Sequence, residues 1–223
     1  MNPFSINSPV IQFLSKVADM IILNILTLIL SIPIVTFGAA TTALHYAVDK
    51  VFTEEGTLLK NYFHAFVTNF KQSTVYWVLL ALPFTFSSLV LLFTDAATFG
   101  NIPRILCMAC LVICAFVFVW VFPLQAFFKN SVLSILRSAV ICGLSWPVRT
   151  ILMAALNLIP LIILMEIDGG LFLKLTPLWL GIWFSGCNCL CRWLLVVPMK
   201  QLRSNVTEAE EAAAKEETEN DTP

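Results

Sequence analysis

Long apolar runs broken by short polar intervals organise this chain. Val17–Phe37 is 21 residues with a single charge, Asp19, near its start, and about 20 apolar residues suffice to cross a bilayer core. Comparable runs cover Thr74–Phe93, Ile105–Phe128, Thr150–Met165 and Thr176–Val197. The pattern therefore predicts five transmembrane helices at 17–37, 74–93, 105–128, 150–165 and 176–197, the fourth being the shortest at 16 residues. Pro33 lies near the end of the first and is expected to kink it. Before that run, Phe4, Val10, Ile11, Phe13 and Leu14 leave an amphipathic trace, which reads as a short interfacial segment.

Two polar intervals carry helical periodicity of their own. From Thr57, Leu59, Phe63, Phe66 and Phe70 fall at spacings of 4, 3 and 4, one stripe of a helix. Lys60, His64, Thr68 and Lys71 run down the other side. Such a helix suits a membrane surface or packing against its own membrane domain, and both readings stay open. Between 129 and 149, Val132, Leu133, Ile135, Leu136, Ala139 and Val140 suggest a second amphipathic helix before Trp146-Pro147. The expected fold is thus an all-α membrane protein, five transmembrane helices with one or two cytoplasmic amphipathic helices. Residues 1–203 form the membrane domain. The segment 204–223 is acidic and low in aromatics, a composition expected to stay disordered.

The stretch 38–77 also carries a resemblance. The run Gly38-Ala-Ala-Thr-Thr-Ala-Leu44, then Glu55-Gly56, then Phe63-x-x-Phe66-x-x-Asn69-Phe70-Lys71-Gln72 resembles the signature of the YesL-like family. These are small bacterial integral membrane proteins of unassigned biochemistry, often encoded beside carbohydrate-uptake systems. Thr53-Glu54 departs from the more basic run expected there, which argues against phosphate binding by that turn. The resemblance implies architecture and context, not a reaction.

Composition agrees with the hydropathy pattern. Hydrophobic residues make up 59% and charged residues 12%, with a mean hydropathy of +0.87, whereas soluble domains carry about a quarter charged residues. No basic cluster is present, which excludes a nucleic-acid partner. The first residues lack a basic n-region and a small-residue cleavage site, so the first helix is expected to be retained. Orientation follows from Lys and Arg, which collect in cytoplasmic loops. Lys50, Lys60, Lys71, Lys129, Arg137, Arg149, Lys200, Arg203 and Lys215 fall on one side, against Lys16, Arg104 and Lys174 on the other. The expectation is a bacterial plasma-membrane protein with its N-terminus outside and its C-terminus cytoplasmic.

Catalytic patterns are missing. There is no Gly-x-Ser-x-Gly, Walker loop, HExxH or GxGxxG, and only two histidines, His45 and His64. The seven cysteines lack paired zinc spacing and read as small apolar fillers. No enzyme activity, metal or cofactor is expected. Polar residues at membrane depth are the better clue, because burying them is costly. Asn24, Asn157, Asn188 and Arg192 form a candidate intramembrane cluster, with Asn188 and Arg192 four apart on one face. Phe63, Phe66, Asn69, Phe70 and Lys71 form a candidate surface for docking a partner or the bilayer. The expected function is an accessory or scaffold component for carbohydrate uptake, partnered by the bilayer and a sugar-uptake permease complex. The alternatives are a small-solute transporter acting as a homo-oligomer and a membrane enzyme on lipid or polysaccharide precursors.

Overall fold

A computed structural model describes residues 9–94, 100–166 and 185–204, and among these the regular structure is entirely helical. Helix α1 runs Pro9–Ser31, with Pro9 at the first helical position, where a missing N–H costs nothing. It stops because Pro33 supplies no donor and disfavours the helical conformation of Ile32. Pro33 therefore ends the helix instead of kinking it. A 3-10 turn, Ile34–Thr36, follows, held by the Thr36 hydroxyl donating to Pro33 O at 2.7 Å and to Leu30 O. The first span is shifted towards the N-terminus, to Val10–Ser31, and residues 10–15 belong to it rather than to a separate interfacial segment.

The interval that follows holds an unanticipated helix. Helix α2, Phe37–Thr53, runs back along α1 and buries a face made almost wholly of small residues: Gly38, Ala39, Ala40, Thr42, Ala43 and Ala47. Small side chains let helix backbones approach closely. The helix ends where Glu54 takes a left-handed conformation, φ 57°, and Gly56 does likewise at φ 72°. Lys50 bonds the carboxylate of Glu55 across this turn and holds its pKa below the usual range.

Helix α3 then runs unbroken from Leu58 to Phe93. The expected surface helix and second span are one element of 36 residues, about 54 Å at 1.5 Å per residue and well beyond a bilayer core of about 30 Å. No glycine or proline separates the two parts, and Pro83 lies deep in the apolar half. Helix α4, Asn101–Phe127, returns antiparallel, as its polar ties to α3 fix: Arg104 donates to Thr94 O at one end, Gln125 to Asn69 and Gln72 at the other.

Helix α5, Val132–Ser145, covers the second amphipathic segment. Helix α6, Pro147–Glu166, follows after the single residue Trp146, and the two are bent by 104°. Trp146 precedes Pro147, which explains the break. Helical residues 185–204 form α7; its predecessor residues 176–184 and the acidic segment 205–223 lie outside the described residues. Three described helices, Val10–Ser31, Leu58–Phe93 and Asn101–Phe127, are long and apolar enough to cross a membrane, or up to four if the bent pair is one span. This is a multi-pass membrane protein by length and composition; the five-span count is not reproduced among the described residues.

Two apolar cores hold the helices together. One joins α1, α2 and the start of α3 through Met20, Leu23, Leu44, Val48 and Tyr62. The Tyr62 hydroxyl is satisfied there by Thr27 Oγ1 at 3.1 Å. The other surrounds Trp120, which stacks on Trp146 with ring centroids 6.0 Å apart. Trp120 Nε1 donates to Thr150 Oγ1 at 2.9 Å, and that hydroxyl donates onward to Trp146 O at 2.9 Å. One hydroxyl thus ties α4 to the α5–α6 bend. Thr150→Val keeps the shape and strands a buried indole N–H, so it should cost about 1–2 kcal/mol. Thermal unfolding in detergent measures this, and an unchanged midpoint would show the bend is fixed by apolar packing alone.

Candidate functional site

The chemistry-bearing residues that meet do so between α2 and α7. On α2, His45, Asp49 and Thr53 recur every fourth residue and therefore share a face. On α7, Asn188, Arg192, Leu195 and Met199 share a face too, at spacings of four, three and four. The two faces enclose a cavity of about 280 Å³, closed on one side by Phe127 from the end of α4. Arg192 Nε donates to Asp49 Oδ1 at 2.7 Å, and both side chains are 26% exposed. The guanidinium carbon lies 4.8 Å from the Phe52 ring centroid, where the ring's negative face favours a cation. Ion pair and ring together fix Arg192 in place.

Of the candidate intramembrane cluster, Asn188 and Arg192 line this cavity and the other two do not. Asn24 is fully buried in α1, where its Oδ1 accepts the Ser185 backbone N–H at 3.1 Å. Asn157 faces another side of α7, donating to Met153 O at 2.7 Å and to Cys191 Sγ at 3.8 Å. All four sit around α7, so they mark helix contacts as well as a cleft. The partner that sequence reasoning missed is Asp49. Its signal was the fourfold spacing from His45, hidden because α2 was taken for a polar interval.

The candidate docking surface divides in two. Phe63 is 44% exposed and Lys71 is exposed. Phe66 packs against the α1–α2–α3 core and against Phe70, with centroids 5.6 Å apart. Asn69 belongs to an interior polar chain: its Oδ1 accepts from Gln125 Nε2 at 3.0 Å, which also reaches Gln72 Oε1 at 3.0 Å. Gln72 continues it to Asn130 O at 2.6 Å. The inward face of this helix half is set by Tyr62, Ala65 and Ser73, one step round from the aromatic stripe. Phe66, Asn69 and Phe70 are thus half-buried, while Val67 is exposed beside Phe63 and Lys71.

A second cavity, about 340 Å³, opens where α1 meets the α2–α3 turn. Lys16 and Lys50 both line it, and Lys16 Nζ lies 3.3 Å from Glu54 Oε1. The charge tally had set Lys16 and Lys50 on opposite sides of the membrane. Because α2 doubles back on α1, they share one end of the bundle.

Residues 20–95 match a family model described as a protein of unknown function, DUF624, the family to which YesL-like proteins belong. The match takes in the second half of α1 and all of α2 and α3, and stops before α4 and α7. Comparison with curated proteins found no match, and comparison with solved structures found none.

Proposed function

We propose that this chain is a bacterial plasma-membrane protein serving as an accessory or scaffold unit of a carbohydrate-uptake system. The observation that carries the reading is the continuity of α3. Its apolar half is rooted among the other helices, while its first half presents Leu59, Lys60, Phe63, His64, Val67 and Lys71 outward. A rigid, partly aromatic, basic face on such a helix suits docking to a permease, as the YesL-like signature suggests. Phe63 and Val67, the latter 71% exposed, are the contacts to remove. Phe63→Ser with Val67→Ser should weaken crosslinking to an uptake permease in native membranes about tenfold, as for interface anchors, while leaving the unfolding midpoint unchanged. Sugar uptake that survives deletion of the gene unaltered on every carbon source would dismiss the reading.

Orientation belongs to the same proposal. If α2 returns the chain across the bilayer, the amino end, Lys50, Lys200 and Arg203 gather on one side. The concentration of basic residues there makes it the cytoplasmic one, with both termini inside. This reading differs from the N-outside expectation, which counted no crossing by α2. A second reading, a small-solute transporter working as an oligomer, is favoured by the half-polar α2–α7 cavity. Sealed vesicles of purified protein that pass no solute would exclude it.

A further inference from the structure

We propose that α5 is an in-plane interfacial helix whose outward face, Leu133, Val140, Ile141 and Leu144, is sunk into the acyl-chain edge of one leaflet. Helix α3 marks where that leaflet begins. Lys71 is its last charged residue, and exposed Val75, Val78 and Leu79 open its apolar half. Both ends of α5 are tied at this level. Gln72 Nε2 donates to Asn130 O, just before the helix, at 2.6 Å. At the far end Trp146 stacks on Trp120. Trp120 is half a turn along α4 from Phe118, whose ring centroid lies 6.4 Å from that of Trp77 on α3. A helix pinned at one depth at both ends runs along the membrane plane. The 104° bend into α6 agrees, because α6 leaves that plane antiparallel to α7: Arg149 donates to Leu194 O at 3.0 Å and Cys187 Sγ to Leu156 O at 3.2 Å.

The helix has three faces. Ile135, Ala139 and Cys142 are buried against the Trp120 core. Ser134, Ser138 and Ser145 form a polar strip beside them. Leu133, Arg137, Val140 and Leu144, at spacings of four, three and four, make the third. All four are exposed, Leu133 at 79% and Leu144 at 73%. The apolar surface continues round the bend through exposed Val148 and Ile151 of α6, so α5 extends the lipid-facing surface of the spans. Charge suits the same neighbour. No Asp or Glu lies between Asp95 and Glu166, while Lys129 and Arg137 are exposed. An arginine on an apolar face keeps its stem in hydrocarbon while its head reaches the phosphate layer. A helix face that is apolar and basic in this way fits the headgroup boundary. It is separate from the α3 surface proposed for docking, so either reading can fail without the other.

The test puts a trifluoromethyl-phenylalanine in place of Leu133, Ser134 or Leu144, one at a time, in the full chain in phosphatidylcholine nanodiscs. Fluorine NMR reads its depth. An interfacial helix buries its apolar face about 5–10 Å into the headgroup and acyl boundary, within reach of a nitroxide on the first carbons of the acyl chain. Such lipids should broaden the signals at Leu133 and Leu144 alike, about twofold or more beyond lipids carrying the nitroxide at the chain end. A water-soluble gadolinium chelate should broaden the Ser134 signal more than either. Dominant broadening at Leu133 and Leu144 by the chelate would place this face in water, open to a protein, and would overturn the proposal. So would chain-end broadening at Leu144 with headgroup-side broadening at Leu133, because α5 would then plunge into the bilayer as half of a broken span.

Discussion

Gly38→Leu is expected to destabilise the protein by about 3 kcal/mol or more, the upper range for overpacking, and to separate α2 from α3. A Cβ at this position would stand 2.5 Å from the Ser73 carbonyl oxygen and 2.9 Å from Trp77 Cβ. The nearer obstacle is backbone, which cannot rotate away as a side-chain tip would. One turn further along, Thr42 Oγ1 and Ser73 Oγ share a hydrogen bond of 2.9 Å, so displacement at Gly38 also breaks this buried pair. Gly38→Ala should give a smaller loss of the same sign. The measurement is thermal unfolding in detergent, together with disulfide trapping between Thr42→Cys and Ser73→Cys. Trapping as efficient in the Gly38→Leu background as in the parent would refute the close approach.

The second large effect concerns Asp49 and Arg192. Removing one member of a buried pair costs about 3–5 kcal/mol, because the other charge is left behind. Partial exposure of both side chains, 26% each, lowers the expectation for Arg192→Ala to about 2 kcal/mol. Asp49→Asn should cost less, since the amide oxygen still accepts from Arg192 Nε. The exchange Asp49→Arg with Arg192→Asp should recover part of the loss, and a double-mutant cycle isolates the coupling. Additive single effects with no coupling would mean the two helices are held by apolar contacts alone.

How much of this was legible in the sequence depends on what each helix has to satisfy. Lipid demands an uninterrupted apolar surface, so α1, the second half of α3, and α4 announce themselves by hydropathy. Helix α2 does not, because close approach selects glycine, alanine and threonine, which with His45, Asp49 and Lys50 leave no long run of large apolar residues. Its absence also set Lys16 apart from Lys50, with which it shares one end of the bundle. The start of α3 showed a correct helical period: the aromatic stripe was counted and Asn69 was taken for a surface residue, while Tyr62, Ala65 and Ser73, which make the buried contacts, were passed over. In the cavity, Asn188 and Arg192 were found by their spacing of four. Asp49 was not, since a carboxylate in a stretch taken for a loop reads as solvated.

The ion pair between Asp49 and Arg192 joins positions 143 residues apart, and that separation is also a delay. Ribosomes add about 5–20 residues per second, so the carboxylate emerges on the order of ten seconds before its counter-charge is made. Until then the carboxylate, near the end of α2 and partly exposed, has only water or lipid headgroups to meet it. The contact between α2 and α7 therefore closes only after α3 to α6 have been made.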